Sequence, residues 1–335
     1  MLIPPVRYQP GSLAIESRAH SQLKNHNSAT AAAAASHLPP SLPKKMSNNL
    51  HNNKAKIILD AAASGNYAIP AICVYNMEGI LATVAACEAR RSPGMILLFP
   101  WAQEYSSLAL AALASHCAKA AKVPITVHLD HAQSASAVKL AADSGFFDSI
   151  MVDMSHYDHV ENLARTKELT RYCHERGIVV EAEPGRIEGG EDGVGDTGEL
   201  EAMMTDEGEA REFVGTGIDW LAPAFGNVHG NYGARGIRLD YERLGRLRDA
   251  VGKEVRLVLH GTDGFDEEIL GRCLEGGVVK VNVNRVVNRR WSEAVGGEGT
   301  MTAVIERATR DMQKEVEWWC RALRSEGRAR IETKY

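Results

Sequence analysis

The residues best suited to chemistry begin in "VHLDHAQS", positions 127–134, where a run that starts as a buried strand ends in two histidines around an aspartate. In an extended chain alternate side chains share a face. Ile125, Val127 and Leu129 therefore point one way, Thr126, His128 and Asp130 the other, and His131 falls where the strand should end. Imidazole and carboxylate on a buried face are costly unless paired, hydrogen-bonded or bound to a cation. Two further histidines close or follow apolar runs: His229 in "GNVHGNYG" and His260 at the end of "RLVLH". The glycines around His229 let backbone approach closely. Three imidazoles suit zinc and leave a position open for substrate. One histidine at a strand end is more often hydrogen-bonded than metal-bound. Three that converge, with Asp130 and Glu183 beside them, point to a metal.

Convergence requires a scaffold. Short apolar runs at 69–75, 94–99, 124–129, 148–152, 178–183, 219–225, 256–260 and 278–283 alternate with helical patterns such as 161–177, which ends in a candidate glycine cap. Eight strands in βα alternation predict an α/β fold, a (β/α)8 TIM barrel with its active site at the C-terminal ends of the strands. A doubly wound sheet would carry a glycine-rich loop after its first strand, and "CVYNMEG" is not one. Several strands split into a polar and an apolar face: Glu181 and Glu183 against Val180 and Ala182; Lys280, Asn282 and Asn284 against Val279, Val281 and Val283; Ser149, Met151 and Asp153 against Ile150 and Val152; Arg256, Val258 and His260 against Leu257 and Leu259. The mixed faces should look into the barrel, which sets Asp130 and His131 opposite Glu183, His229, His260 and Asn282. His128 reads as a structural or supporting residue, His156 and His159 as loop, and Trp318 and Trp319 as core or subunit contact. The acidic glycine-rich loop 184–201 reads as a plain solvent-facing loop or, since it is long for a βα connection, as a lid.

Bulk composition bounds the alternatives. The 335 residues are 44% hydrophobic and 24% charged with a net charge of −5, ordinary for a globular protein and without the basic excess of a general nucleic-acid binder. An anionic substrate would need locally placed cations. Six scattered cysteines without CxxC spacing suggest free thiols, and no apolar stretch suggests a membrane span. Residues 1–45, with "SATAAAAASHLPPSLPKK", read as a disordered low-complexity extension. A mitochondrial or other organellar address, or a start at Met46, are the alternatives. Residues 46–335 are expected to form one catalytic domain in a cytoplasmic protein.

From about residue 54 to 325 the chain resembles the class II, metal-dependent fructose-bisphosphate aldolases and their tagatose-bisphosphate relatives. The stretches that carry this are "VHLDHAQS", "SIMVDMSHYDHVENLARTKELTRYCHERGIVVEAEPGRIEGGEDGV", "TDEGEAREFVGTGIDWLAPAFGNVHG", "RLVLHGTDGF" and "GGVVKVNVN", in the family's order. The resemblance implies that His131, His229 and His260 hold catalytic Zn2+, and that Glu183 can bind metal when the site rearranges. It makes Asp130 the acid/base for the hydroxyl proton, Glu191 the mobile-loop residue that exchanges a proton with carbon, and Asn282 a substrate contact. Gly230, Gly261, Asp263 and Arg285 fall on the substrate side. It further implies a sugar phosphate substrate, by default fructose 1,6-bisphosphate cleaved to dihydroxyacetone phosphate and glyceraldehyde 3-phosphate. A homodimer and a second divalent or monovalent cation are compatible with it.

The departures gather on the phosphate side. Gly233, with Arg235 nearby, stands where the family usually has Lys. Asp263 replaces a phosphate-contacting Ser, Arg285 a Thr and Cys73 an Asn, and "LLFPW" lacks a Ser. Either Arg285 pairs with Asp263 or it holds an anion itself. The metal and proton-transfer machinery is thus expected intact beside a rebuilt anion pocket, which leaves open a different or non-phosphorylated aldol. A catalytically inactive zinc-binding scaffold on the same fold is the reading from another class. Retention of Asp130 and Glu191, which zinc binding alone does not need, argues against it.

Overall fold

Strands that must bury both faces need side chains inside a ring and helices outside it, and the chain supplies both. The computed structural model describes residues 50–189 and 204–329, the side chains of Glu188 and Arg235 excepted. The low-complexity extension and most of the expected lid, Glu191 included, lie outside the described residues. In chain order the elements are α1 (Lys54–Gly65), β1 (Ile69–Cys73), α2 (Met77–Arg90), β2 (Gly94–Leu98), α3 (Pro100–Ser106), α4 (Ala109–Ala120), β3 (Ile125–Ala132), α5 (Ala135–Ser144), β4 (Ser149–Val152), α6 (His159–His174), β5 (Val179–Ala182), β6 (Glu188–Gly189), α7 (Glu207–Val214), β7 (Trp220–Leu221), β8 (Val228–His229), α8 (Tyr241–Val251), β9 (Arg256–Leu259), α9 (Glu267–Glu275), β10 (Val278–Val283), α10 (Arg285–Val295) and α11 (Met301–Ala322).

Eight of the strands are all parallel and close in the order β1-β10-β9-β7-β5-β4-β3-β2. This is the (β/α)8 barrel. The strands β6 and β8 form a separate parallel pair. The period-two pattern sorts the apolar residues into two clusters. One fills the barrel with Ile69, Ala71, Met95, Leu97, Met151, Val179, Trp220 and Val258. The other lies between barrel and helices and takes Ile72, Ile96, Val127, Leu129, Val180, Leu257 and Leu259.

Two strands depart from the sequence reading. The sixth run, expected over 219–225, pairs only at Trp220–Leu221; Pro223 has no N–H to donate, and the chain leaves the ring towards β8. In β10 the pairing with β9 slips between Val278 and Lys280. That bulge turns Val279 into the barrel cluster and puts Val278 in the outer one, correcting the expectation that Val279 faces outward. The helix expected over 161–177 runs His159–His174, and Gly177 follows in the turn with φ of 72°.

The N-terminal end of the barrel is stoppered by α1, whose Ala55, Ile58, Leu59 and Ala62 join the inner cluster. Asn53 caps that helix through Oδ1, which accepts from Ala55 N and Lys56 N, while its Nδ2 donates to Asp148 O at 2.7 Å and Gly177 O at 2.8 Å. Both carbonyls precede barrel strands, so one side chain ties the stopper to the ring. Replacing Asn53 with alanine removes the cap and both ties and is expected to cost about 2–3 kcal/mol of stability in urea unfolding. A loss below about 0.5 kcal/mol would show that the apolar face alone holds α1.

The long C-terminal helix α11 packs on α2 and α10. Trp319 on it is buried in the core and Trp318 packs alongside, which agrees with the core reading. All six cysteines are free thiols. Among the described residues no helix is long and apolar enough to cross a membrane.

Candidate active site

Two neighbouring residues of a regular strand point to opposite faces, yet Asp130 and His131 both line one pocket. The pairing of β3 with β4 slips between Leu129 and Ala132, and His131 takes a φ of 47°. A left-handed backbone at a non-glycine residue is strained, of the kind concentrated at functional positions. It turns the imidazole inward.

His229 and His260 are each followed by a left-handed glycine, Gly230 at φ 84° and Gly261 at φ 69°. A Cβ on Gly261 would collide with the Val228 carbonyl, so no side chain fits there. Tyr232 fastens the two segments: its hydroxyl donates to Gly261 O at 2.7 Å and accepts from Val228 N at 3.1 Å.

The rings of His131, His229 and His260 lie with centroids 4.9 to 5.6 Å apart, and their ligating atoms fall within 4.8 Å of one another. His131 Nδ1 lies 2.8 Å from Asp153 Oδ2, and His260 Nε2 lies 2.8 Å from Glu181 Oε1. A carboxylate only accepts, so each of these nitrogens carries the proton when the ring is neutral. The lone pairs of His131 Nε2 and His260 Nδ1, 3.1 Å apart, are then left for the centre. Among the described residues four buried polar atoms here lack a hydrogen-bond partner: His229 Nε2, Glu183 Oε2, and His128 Nε2 with Asp130 Oδ1, which face each other at 3.6 Å. Orphaned buried acceptors are rare and expensive. Three nitrogen donors with spare carboxylate oxygens beside them fit a bound divalent cation.

The charges favour the same reading. Burial works against a proton on His131, but Asp130, Asp153 and Glu183 outweigh it and raise its pKa to about 10. The site therefore demands a positive charge, which a proton or a metal can satisfy. Burial and the neighbouring histidines hold His229 well below its usual value, as a neutral ligand would be. Glu183 is pushed up to about 8 by burial and by the charge of Asp153, and its Oε1 accepts from Ile187 N at 2.8 Å.

Beneath the histidines runs a buried network. Lys280 Nζ donates to Glu181 Oε2 at 2.7 Å and to Asn282 Oδ1 at 2.8 Å. Asn282 Nδ2 donates to Asp130 Oδ2 at 2.8 Å. Burial opposes the charge on Asp130, but His131, His128, His260 and Lys280 outweigh it and hold the carboxyl well below the usual range. Burial likewise opposes the charge on Glu181, and Lys280 and His260 hold it at about 2. His128 bonds Ser149 Oγ at 2.8 Å and reaches within 3.6 Å of Asp130, a supporting position. The sequence reading put Asp153, Glu181 and Lys280 on the axis-facing sets and gave them no role; that alternation was the signal for them.

The pocket also takes in Cys73, Phe99, Thr262, Asp263 and Asn284. Of the two readings of Arg285, the structure shows the pair: its Nε lies 3.6 Å from Asp263 Oδ2, and its guanidinium lies against Gly230. The site thus brings together Asp130, His131, His229, Gly230, His260, Gly261, Asp263, Asn282 and Arg285, with Glu183 beside His131. Glu191 is outside the described residues. His159 is elsewhere, at the start of α6, paired with Glu212 at 2.5 Å.

Comparison with known proteins places this geometry. The family model for class II fructose-bisphosphate aldolase matches residues 53–328. A Coccidioides immitis protein named "Putative fructose-bisphosphate aldolase" is 54% identical over 291 residues, covering 84% of this chain and 96% of that one. A crystal structure from the same organism, described as that of "a putative fructose-1,6-biphosphate aldolase", superposes with a TM-score of 0.82 at 55% identity, over 83% of this chain and 98% of the other. The YdjI aldolase of Escherichia coli K12 follows at a TM-score of 0.73 and 28% identity, over 82% of this chain and 98% of that one. The match over most of the chain, on the strands that carry the histidines, settles the family: this chain belongs to the class II fructose-bisphosphate aldolases and is an aldolase-type lyase.

Proposed function

We propose that the chain catalyses the reversible, zinc-dependent aldol cleavage of a ketose phosphate, with fructose 1,6-bisphosphate as the reference substrate. The observation that carries the reading is the ring of three imidazoles whose unspent nitrogens converge beside the ionised Asp130. His131, His229 and His260 would hold the zinc, and Glu183 Oε2 is the spare oxygen within the same charge cluster. Bound there, the cation supplies Lewis-acid stabilisation of the negative charge that carbon–carbon cleavage leaves on the ketone-bearing half.

The chain's own residues handle the protons. Asp130 is ionised, and its Oδ1, which makes no hydrogen bond although His128 Nε2 lies 3.6 Å away, is the oxygen left to take the hydroxyl proton as the bond breaks. Asn282 fixes the other oxygen of Asp130, and Lys280 fixes Asn282 by holding its amide oxygen. Asp153 and Glu181 orient the imidazoles. Glu191, carried over from the resemblance, is the proposed proton donor to carbon.

A coupled cleavage assay on the zinc-reconstituted chain tests this. Turnover of fructose 1,6-bisphosphate or another ketose phosphate should vanish on incubation with EDTA and return with added zinc. Stoichiometric zinc without cleavage of any ketose phosphate would favour the scaffold reading instead.

A further inference from the structure

One charge in the pocket has no part in the chemistry just described. Asp263 follows His260 by three residues and its side chain is 20% exposed. It lines the pocket with the three histidines. Among the described residues its interaction is the ion pair with Arg285, at 3.6 Å too long for a hydrogen bond. Its two oxygens therefore keep nearly all their acceptor capacity. Arg285 begins α10 and is half exposed; Arg289, one turn further on, is exposed and adds its field to the same carboxylate. The guanidinium of Arg285 lies against Gly230, the residue after His229. Two of the three histidines are thus bordered by this pair.

We infer that Asp263 makes this subsite select an uncharged, hydroxyl-bearing end of the substrate and reject a phosphate. The carboxylate already neutralises the nearer arginine, so a phosphate entering here meets no net positive charge from the pair and a partly buried negative charge at close range. Arg289 is solvated, and its attraction is correspondingly screened. A hydroxyl, by contrast, finds a carboxylate with oxygens to spare. This rests on the proposed function, which brings the substrate's ketone to the histidines; we take the carbon next to it to face Asp263, which lines the same pocket. Within the ketose phosphates proposed above, the substrate is then one phosphorylated at the end remote from its ketone and bearing a free hydroxyl at the near end, in place of the reference 1,6-bisphosphate.

Two hydroxamates that chelate zinc separate the possibilities by calorimetric titration of the zinc-loaded full chain. Glycolohydroxamate ends in a hydroxyl and phosphoglycolohydroxamate in a phosphate. The native chain should bind the first at least as tightly as the second. Asp263→Asn, which keeps the shape and drops the charge, and Asp263→Ser should each shift the ratio towards the phosphate by about tenfold or more. A native chain that prefers the phosphate by about tenfold overturns the inference even if neither variant folds, as does a ratio that both folded variants leave in place. Failure to bind either compound overturns it together with the metal reading. Because the readout is binding, a switched ratio in a protein that cleaves no ketose phosphate would support the subsite and defeat the proposed reaction.

Discussion

Replacing Asp130 with alanine is expected to lower kcat by about 10²- to 10⁴-fold, the usual worth of a positioned acid/base, while bound zinc stays near its native level. The carboxylate is buried yet ionised, because His131, His128, His260 and Lys280 outweigh the desolvation that opposes its charge. One oxygen is fixed by Asn282 and the other makes no hydrogen bond, with His128 Nε2 at 3.6 Å, the arrangement of a base with one oxygen committed to orientation and one to chemistry. Two of the three imidazoles that face the centre are held by other carboxylates, Asp153 for His131 and Glu181 for His260, so their orientation does not depend on Asp130. Metal analysis and steady-state kinetics on the same sample decide the matter. Zinc lost in step with activity would make Asp130 a metal-holding residue, and an unchanged kcat would remove it from the proton path.

The second large effect lies one layer deeper. Lys280→Met should destabilise the protein by about 3–5 kcal/mol, the cost of breaking a buried pair by removing one member. Both Lys280 and Glu181 are fully buried, and Lys280 is the main charge holding Glu181 ionised against burial. Without it Glu181 must take up a proton or stay charged and unpaired, and Asn282 loses the donor that fixes its amide. Adding Glu181→Gln should recover part of the loss, since no uncompensated charge then remains. Exposed pairs such as Arg171 with Glu175 contribute only about 0–1 kcal/mol and serve as controls. Urea unfolding of the single and double variants measures the difference. A loss under about 1 kcal/mol would show that water reaches Glu181 and solvates it.

What the sequence made legible was whatever repeats with the period of a strand. Eight apolar runs and their polar faces were enough to foresee the closed barrel and the meeting of His131, His229, His260 and Asn282. Pairings between distant residues were not legible in this way. Glu181 and Lys280 stand 99 positions apart, and no local pattern says that one carboxylate will take both an ammonium and the His260 imidazole. Backbone irregularity was equally hidden. The bulges before Ala132 and Lys280 change which neighbours share a face, and a strict alternation rule therefore misplaced Val279. At Asp263 and Arg285 the residue types admitted two arrangements, since a guanidinium serves a carboxylate or a bound anion equally well, and coordinates were needed to choose.

The ring has a further meaning for how the protein comes into being. Its first strand is bonded to its last, Ile69 beside Lys280 and Ala71 beside Asn282, and the hydrogen bond from Asn282 to Asp130 spans 152 positions. During synthesis β1 must wait with an unsatisfied sheet edge until β10 leaves the ribosome and joins it to β9, a delay that costs loop-closure entropy and exposes apolar surface. The catalytic constellation is completed only with the final seam: a chain that stopped before β10 would carry the three histidines and Asp130 without the Lys280 and Asn282 that hold Glu181 and Asp130 in place.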